Sequence, residues 1–406
     1  LSFCQMIIFK VTKELYNKAM SFAFAIDRAQ HVTLYEDSQF LEAIARQNVS
    51  RVRTALRNGS DINEPSAFSG NTPLMVAIGT GNVQIVELLL DNGANPNGPN
   101  SKTDLLPLMA LLSSTTNNLK IMKLLISKGA NVNGVNKTTG DTVLLCLVKQ
   151  YGTFLIRELL QTPNIDPDAE NKKTGAFPLE VASTSEIVTI LVDHGATLNK
   201  RNRQTGNTAL LSAIVNGRTE CAKTLINLGA DVNISNKETQ NSAFIAANNF
   251  ANGYTDCDLL VLLIEKQARV TFLNKNDNLV GRLITRITEL SPTQQRQKLS
   301  AQLVKVGANI NLRGRHGNTL LHYYAKHNNL DMVKLLQSSG ARLNTLNNEN
   351  QTAEGVTTDL RILQWFNDTR DLSPYEMRAM NITQSNSPVG SSGISSLQYN
   401  VHSMIR

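Results

Sequence analysis

Apolar residues recur at helical spacing in two neighbouring stretches, 73–80 and 83–90. In the first stretch, apolar side chains spaced i, i+3, i+4 form one face of a short helix, and Thr72 followed by proline is a typical pair for a helix start. Gly81 separates the stretches with a residue that tolerates the left-handed conformation found at helix ends. The polar run 95–103 has no such stripe. The pattern predicts two short helices followed by an extended hairpin.

The same pattern returns along the chain. The stretch GNTPLMVAIGTGN at 70–82 reappears in altered form at 206–218 and 317–329. A second marker, Gly-Ala followed by a variant of Asn-x-Asn, occurs at 93–97, 129–133, 195–199, 229–233, 307–311 and 340–344. Successive copies lie one or two units of roughly 33–39 residues apart, which is the spacing of a repeat array. Each unit exposes an apolar face on its own and becomes stable when stacked.

The motifs Thr-Pro-Leu-Met at 72–75 and V-x-x-L-L-x-x-G-A at 86–94 resemble the ankyrin repeat. The resemblance covers about three quarters of the chain and implies an all-α repeat solenoid of stacked helix-turn-helix-hairpin units, about nine of them, with a C-terminal cap. It also implies that hairpin tips and the exposed faces of first helices form one concave surface that binds a protein partner. The family's loop-bracing histidine is kept as His322, whereas Met75, Met109 and Leu211 replace it elsewhere. We therefore expect the other units to be braced differently.

Four segments are predicted. Residues 1–37 form an N-terminal extension, of which 1–19 are interpreted as a fragment or upstream addition because Met20 is a plausible start. Residues 38–350 form the repeat array, with longer, irregular units at 240–316. Residues 351–370 form a capping helix, for which Leu360, Leu363 and Phe366 are expected to provide the apolar face. Residues 371–406, which are rich in serine, are expected to be disordered.

Composition narrows the environment. Hydrophobic residues make up 41% of the chain and aromatic residues 5%, which suits helices packed through aliphatic side chains. The four cysteines have no CxxC spacing, so we expect a reducing compartment such as the cytoplasm. We also expect the protein to be a monomer. No window approaches 18 consecutive apolar residues, so no membrane span is expected.

Catalytic and cofactor motifs receive little support. The segment AIGTGN at 77–82 lacks the Gly-Lys-Ser/Thr ending of a phosphate-binding loop. His316, His322 and His327 are spaced six and five residues apart, which fits neither one helix face nor a zinc knuckle. Cys257 is the one cysteine expected to be exposed. We expect a protein that is not an enzyme and that binds no cofactor or metal.

The hairpin tips carry the candidate site, because every segment that precedes a new unit contains a basic residue. Two interpretations remain open: polar residues that any tip needs, or a basic row that binds an acidic protein surface. Lys200 adds to the middle of this row. The predicted partner-binding residues are Lys102, Lys137, Lys172, Lys173, Arg201, Arg203, Lys237, Arg313 and Arg315.

Three functional alternatives follow from these features. Asparagine makes up about one residue in nine and the repeats are degenerate, which resembles ankyrin-repeat effectors that host-associated bacteria deliver into a host cytosol. An enzyme or enzyme adaptor would place its active element in 248–297 or in the tail. Nucleic acid or an anionic surface is a weaker candidate ligand for the basic row, because the tips lack aromatic residues for base stacking and no amphipathic anchor helix is present.

Overall fold

The structure, a computed structural model, describes residues 39–111, 118–150, 152–236, 242–249, 257–268, 279–289, 293–314, 316–370 and 372. The predicted N-terminal extension and, apart from Leu372, the predicted tail lie outside these ranges. The segment boundaries given above therefore stay predictions.

The described chain consists of short helices that follow one another in pairs, with one further helix at the end. The pairs are α1 (Gln39–Ala45) with α2 (Val49–Arg57), α3 (Pro73–Thr80) with α4 (Val83–Asp91), α5 (Pro107–Ala110) with α6 (Asn118–Ser127), α7 (Val143–Lys149) with α8 (Thr153–Leu160), α9 (Pro178–Val181) with α10 (Ser185–Asp193), α11 (Ala209–Val215) with α12 (Thr219–Asn227), α13 (Ala243–Asn249) with α14 (Cys257–Glu265), α15 (Leu279–Glu289) with α16 (Gln294–Lys305), and α17 (Leu320–Lys326) with α18 (Leu330–Ser338). The last helix is α19 (Leu360–Thr369). Within the described ranges, β pairing is limited to two isolated bridges, Val135 with Thr142 and Arg201 with Thr208. The predicted all-α repeat solenoid is confirmed.

The chain divides into two compact units, Leu1–Ala213 and Ile214–Arg406, with the division inside α11. We refer to them as unit 1 and unit 2 and describe each by itself.

Helix α3 shows why the repeated GNTPL stretch folds as it does. The Thr72 side chain accepts a hydrogen bond from the Met75 amide, and Pro73 occupies the first helical position, where no amide partner is needed. Gly81 ends the helix at φ +70°, a left-handed conformation that glycine adopts without strain. Thr142 caps α7 in the same way by accepting from Leu145. The stretch thus starts and ends a helix, as predicted.

First and second helices contribute differently to the core. In α3 the residues 73–78 are all buried, and in α7 all but the last residue are buried. The second helix α4 is amphipathic and buries one face, formed by Ile85, Val86, Leu89 and Leu90. Each such aliphatic side chain contributes about 1.5–3 kcal/mol on burial. The concave surface of hairpin tips and first helices stays a prediction.

The capping helix α19 differs from prediction in its face. Ile362, Trp365 and Phe366 are buried, whereas Leu360 is 78% exposed. Leu360 follows directly after the N-cap Asp359 and therefore lies at the open start of the helix. Phe366 is buried as predicted, whereas Leu363 is half-buried and Leu360 does not belong to the buried face.

Candidate partner-binding site

Most hairpin tips in the described part of the chain are built around a buried asparagine. Asn171 is 2% exposed, and its side-chain oxygen accepts hydrogen bonds from the amides of Lys173 (2.8 Å) and Thr174 (3.2 Å). These bonds form an Asx turn that reverses the chain. Its side-chain nitrogen donates to the Thr139 carbonyl (3.0 Å) and to the carboxylate of Asp141 (2.7 Å) in the preceding tip. One side chain thus shapes its own tip and fastens it to the tip before.

The same residue recurs in neighbouring tips of unit 1, and we call these residues the tip asparagines. Asn100 donates to the Ser69 carbonyl at 3.1 Å, Asn136 to the Thr103 carbonyl at 2.9 Å, and Asn202 to the Thr174 carbonyl at 3.3 Å. In unit 2, Asn347 donates to the side-chain oxygen of Asn318 at 3.1 Å. These asparagines brace neighbouring tips both in repeats without the family's histidine and, at Asn347, beside it.

His322 supplies the histidine form of the brace in unit 2. Its Nε2 lies 3.0 Å from the Gln351 carbonyl, and its side chain completes a capping box with Thr319 at the start of α17. Burial lowers the pKa of the His322 imidazole below its usual range. The predicted loop-bracing role of His322 is confirmed by these contacts.

In unit 1 the residue two places after a tip asparagine, which we call tip position 3, reaches back to the preceding tip. The ammonium of Lys173 donates to the carbonyls of Lys137 (2.8 Å) and Thr138 (2.7 Å). Lys102 donates in the same manner to the Phe68 carbonyl, and Gln204 to the Lys173 carbonyl. Lys102 and Lys173, both predicted to contact a partner, are therefore also structural links between tips.

The residue directly after the tip asparagine, tip position 2, is placed differently. Lys137 and Lys172 hold this position in successive tips, and both are exposed. Their ammonium groups have no hydrogen-bond or ion-pair partner within the described part of the chain. Arg203 holds position 2 in the next tip; its side chain is 79% exposed, and its Nε lies 3.1 Å from the Glu170 carboxylate. Position 2 therefore presents cations to solvent.

Three other basic residues bond within the described part of the chain. Arg201 donates to the Gly206 carbonyl (3.4 Å) and Arg313 to the Gly317 carbonyl (3.1 Å), so each braces its own hairpin. Arg313 was expected at the tip itself, but the bond from the Gly314 amide to the Asn318 carbonyl places Gly314 where other tips have asparagine. Lys200 donates to the Asp168 carbonyl at 2.9 Å. Lys237 and Arg315 lie outside the described residues.

Candidate metal ligands and nucleophiles among the described residues each have their own surroundings. No cluster of three or more histidine, cysteine or acidic side chains suited to a metal occurs in the ranges described. Burial raises the pKa of the Cys146 thiol to about 12, so it is a poor nucleophile at neutral pH. Cys257 is half-buried at the start of α14. The parts of 248–297 that are described bury aliphatic side chains of α14 and α15.

None of the helices in the described ranges combines the length and the apolar content that crossing a membrane requires.

These observations define the class of protein. It is a scaffold of helical repeats whose candidate binding residues lie in the hairpin tips. Residues 40–136, 108–202, 143–236 and 182–277 each match the family model of ankyrin repeats in three copies, and residues 316–348 match that of a single ankyrin repeat. The chain belongs to the ankyrin-repeat family. Ankyrin repeats support a protein-interaction scaffold, imply protein partners and are typically non-catalytic.

Among solved structures, one chain of the complex between the predatory endopeptidase Bd0816 from Bdellovibrio bacteriovorus and the immunity protein Bd3460 is similar at 25% identity. The match covers 47% of this chain and 99% of that chain, with a TM-score of 0.41. None of the curated proteins compared with the chain matches it.

The tip asparagines are the residues that sequence reasoning missed. The sequence signal that could have located them is an asparagine at the same place in successive tips, at 100, 136, 171, 202 and 236.

Proposed function

We propose that the chain is a protein-interaction scaffold that captures an acidic partner surface through tip position 2 of unit 1, centred on Lys137 and Lys172. One observation carries the proposal: two exposed ammonium groups occupy equivalent positions in successive tips and have no partner in the described structure. A cation that is not used in folding is available for an intermolecular ion pair.

The charge of the whole chain supports an acidic partner. Lysine and arginine exceed aspartate and glutamate by 40 to 33, a net charge of +7. Such an excess speeds association with an acidic surface, and the effect weakens as salt screens it. Tips are solvent-facing loops on a rigid scaffold, which is where binding residues are commonly found.

A charge-reversal experiment with a matched control tests the proposal. The variant Lys137→Glu/Lys172→Glu lowers the net charge from +7 to +3, since each reversal removes two charges. Lys120→Glu/Lys298→Glu has the same net charge but changes exposed lysines on the second helices α6 and α16. We expect proteins captured from a nuclease-treated lysate by the wild type to be retained by the control and lost from the tip variant.

Equal capture by both variants would remove the tips from the binding surface. Capture that disappears from the wild type after nuclease treatment would instead identify nucleic acid as the ligand of the basic row.

Delivery as a bacterial effector and action in a cytosol remain predictions from the sequence. They concern where the scaffold works, and the tip experiment is independent of them.

A further inference from the structure

The tips of unit 1 are fixed relative to one another by side chains from two positions. The Asn171 side chain donates to the Thr139 carbonyl, and the Lys173 ammonium donates to the carbonyls of Lys137 and Thr138. Gln204 makes the equivalent link from the following tip to Lys173. The backbone that carries Lys137 and Lys172 is therefore pre-organised, which lowers the entropy lost on binding.

The interval between these two lysines follows from helix packing. Neighbouring helices pack about 8–10 Å apart, so the hairpins that connect stacked helix pairs repeat at a similar distance. The bridge from Lys173 to the preceding tip agrees with this interval, because one lysine stem and one hydrogen bond span it. Position 2 thus repeats its cation at roughly 8–10 Å along the tips.

A partner segment must present carboxylates on one side at that interval. A polyproline II chain has three residues per turn and rises about 3.1 Å per residue, so residues i and i+3 point the same way about 9.3 Å apart. In a β-strand, same-side residues are about 6.8 Å or 13.6 Å apart, which misses the interval. In an α-helix, residues i and i+7 lie on one face about 10.5 Å apart, which fits it.

The surface between the lysines distinguishes the helix from the polyproline II chain. Helices bound by proteins commonly lay an apolar face into an apolar groove. The tips at 136–140 and 171–175 contain only polar residues and glycine. Val135 is 45% exposed but precedes its tip rather than lying between the lysines. A short isolated helix is only marginally stable in water, so without a groove its folding is not offset. A polyproline II chain is already populated in water and keeps its backbone solvated, so it can bind through its carboxylates alone.

We propose that the partner presents an extended acidic segment in polyproline II conformation, with carboxylates three residues apart that pair with Lys137 and Lys172. Arg203 continues the row at position 2 of the next tip, so a third carboxylate at the same spacing meets it. This inference rests on the proposed function, and it adds the conformation and spacing of the bound segment.

Labelled peptides test the spacing directly with the full chain. One peptide contains three glutamates separated by Pro-Pro, and a second contains three glutamates separated by Pro-Pro-Pro, which rotates successive carboxylates off a common side. A third is an alanine-based helix with glutamates seven residues apart. Binding is measured by fluorescence anisotropy at low ionic strength, where exposed ion pairs are screened least.

We expect the Glu-Pro-Pro peptide to bind about fivefold more tightly than either alternative, the factor that one exposed ion pair of about 1 kcal/mol provides. Lys137→Gln/Lys172→Gln should abolish this preference, and the control Lys120→Gln/Lys298→Gln should keep it.

The outcomes separate the two proposals. Equal affinity for all three peptides, weakened by the tip variant, would overturn the spacing while the acidic-partner proposal stands. Tighter binding of the helical peptide would also overturn it. Binding that is undetectable, or that the tip variant leaves unchanged, would overturn both.

Discussion

Replacing Asn171 by alanine should destabilise unit 1 far more than its tip location suggests. The side chain makes four hydrogen bonds, two within its own tip and two to the preceding tip. A hydrogen bond contributes about 0.5–1.5 kcal/mol net, so four give about 2–6 kcal/mol. Water can reach part of the opened site, and Asp141 keeps both bonds to Lys149, which places the expectation at about 3 kcal/mol.

Asn92→Ala is the matched control. Asn92 is exposed in the same unit, and its side-chain nitrogen makes one local hydrogen bond, to the Leu88 carbonyl at 2.8 Å. A surface substitution of this kind should change stability by less than about 0.5 kcal/mol.

Urea unfolding followed by far-UV circular dichroism compares the two variants. Hydrogen exchange adds a local measurement: when Asn171 is replaced, the Lys173 amide loses its acceptor and the Thr174 amide keeps only the 3.3 Å bond to the backbone carbonyl of residue 171. If Asn171→Ala unfolds at the same urea concentration as Asn92→Ala and protects these amides equally, the tip asparagine does not join neighbouring tips as described.

Three further changes test other parts of the structure. Gly140→Ala should destabilise the protein by about 1 kcal/mol more than Gly93→Ala in urea unfolding: both glycines have positive φ, but only at Gly140 would the new Cβ meet the next tip asparagine, at 2.6 Å. Because burial lowers the folded-state pKa of His322, its contribution to stability should be present above about pH 6.5 and lost as the pH falls and the unfolded state takes up a proton; the thermal midpoint of His322→Gln should lose this dependence. Gln337→Leu leaves the buried indole N–H of Trp365 unpaired, so the emission of this single tryptophan should shift to the red at lower urea than in the wild type, at a cost of about 1–3 kcal/mol.

Local chain geometry was largely predictable from the sequence. The spacing of apolar residues located the helix pairs, and Thr72 and Gly81 fixed the ends of α3 as expected. These features depend on contacts within a few residues, which a sequence pattern records directly. Leu360 shows the limit of such patterns, since an apolar residue at the open start of a helix matches the stripe without being buried.

The candidate site was less predictable because it depends on contacts between residues about thirty positions apart. Lys172 and Lys173 are adjacent and chemically identical, yet one side chain faces solvent and the other links two tips. The Asx turn formed by the preceding asparagine sets this difference. A sequence pattern that counts basic residues per tip cannot separate them, whereas counting positions from the asparagine does.

A difference between two repeats shows that the hydrogen bond between neighbouring tips is kept by another residue when its usual acceptor is missing. The residue after the tip glycine accepts a hydrogen bond from the next tip asparagine when it is Asp141, but alanine at 176 has no side-chain acceptor. There the Glu180 carboxylate from α9 accepts from Asn202 at 2.7 Å instead. A buried amide donor without an acceptor would lower the stability of the fold by about 1–3 kcal/mol. The Glu180 carboxylate avoids this loss.

The residues of a tip have different roles, and this difference indicates which of them are available to bind a partner. The tip asparagine shapes the tip and fastens it to the preceding one, and the residue at position 3 adds a second link to the preceding tip. Both residues therefore contribute to the folded structure, and contacts with the neighbouring repeat restrict which side chains can stand there. Position 2 contributes no comparable bond at Lys137 or Lys172, so a glutamate there should fold as well as a lysine. If a variant at position 2 folds normally and no longer binds its partner, position 2 is the site of recognition. If a Lys173 variant no longer binds, the cause could be either a lost contact with the partner or a changed tip structure, because Lys173 links two tips.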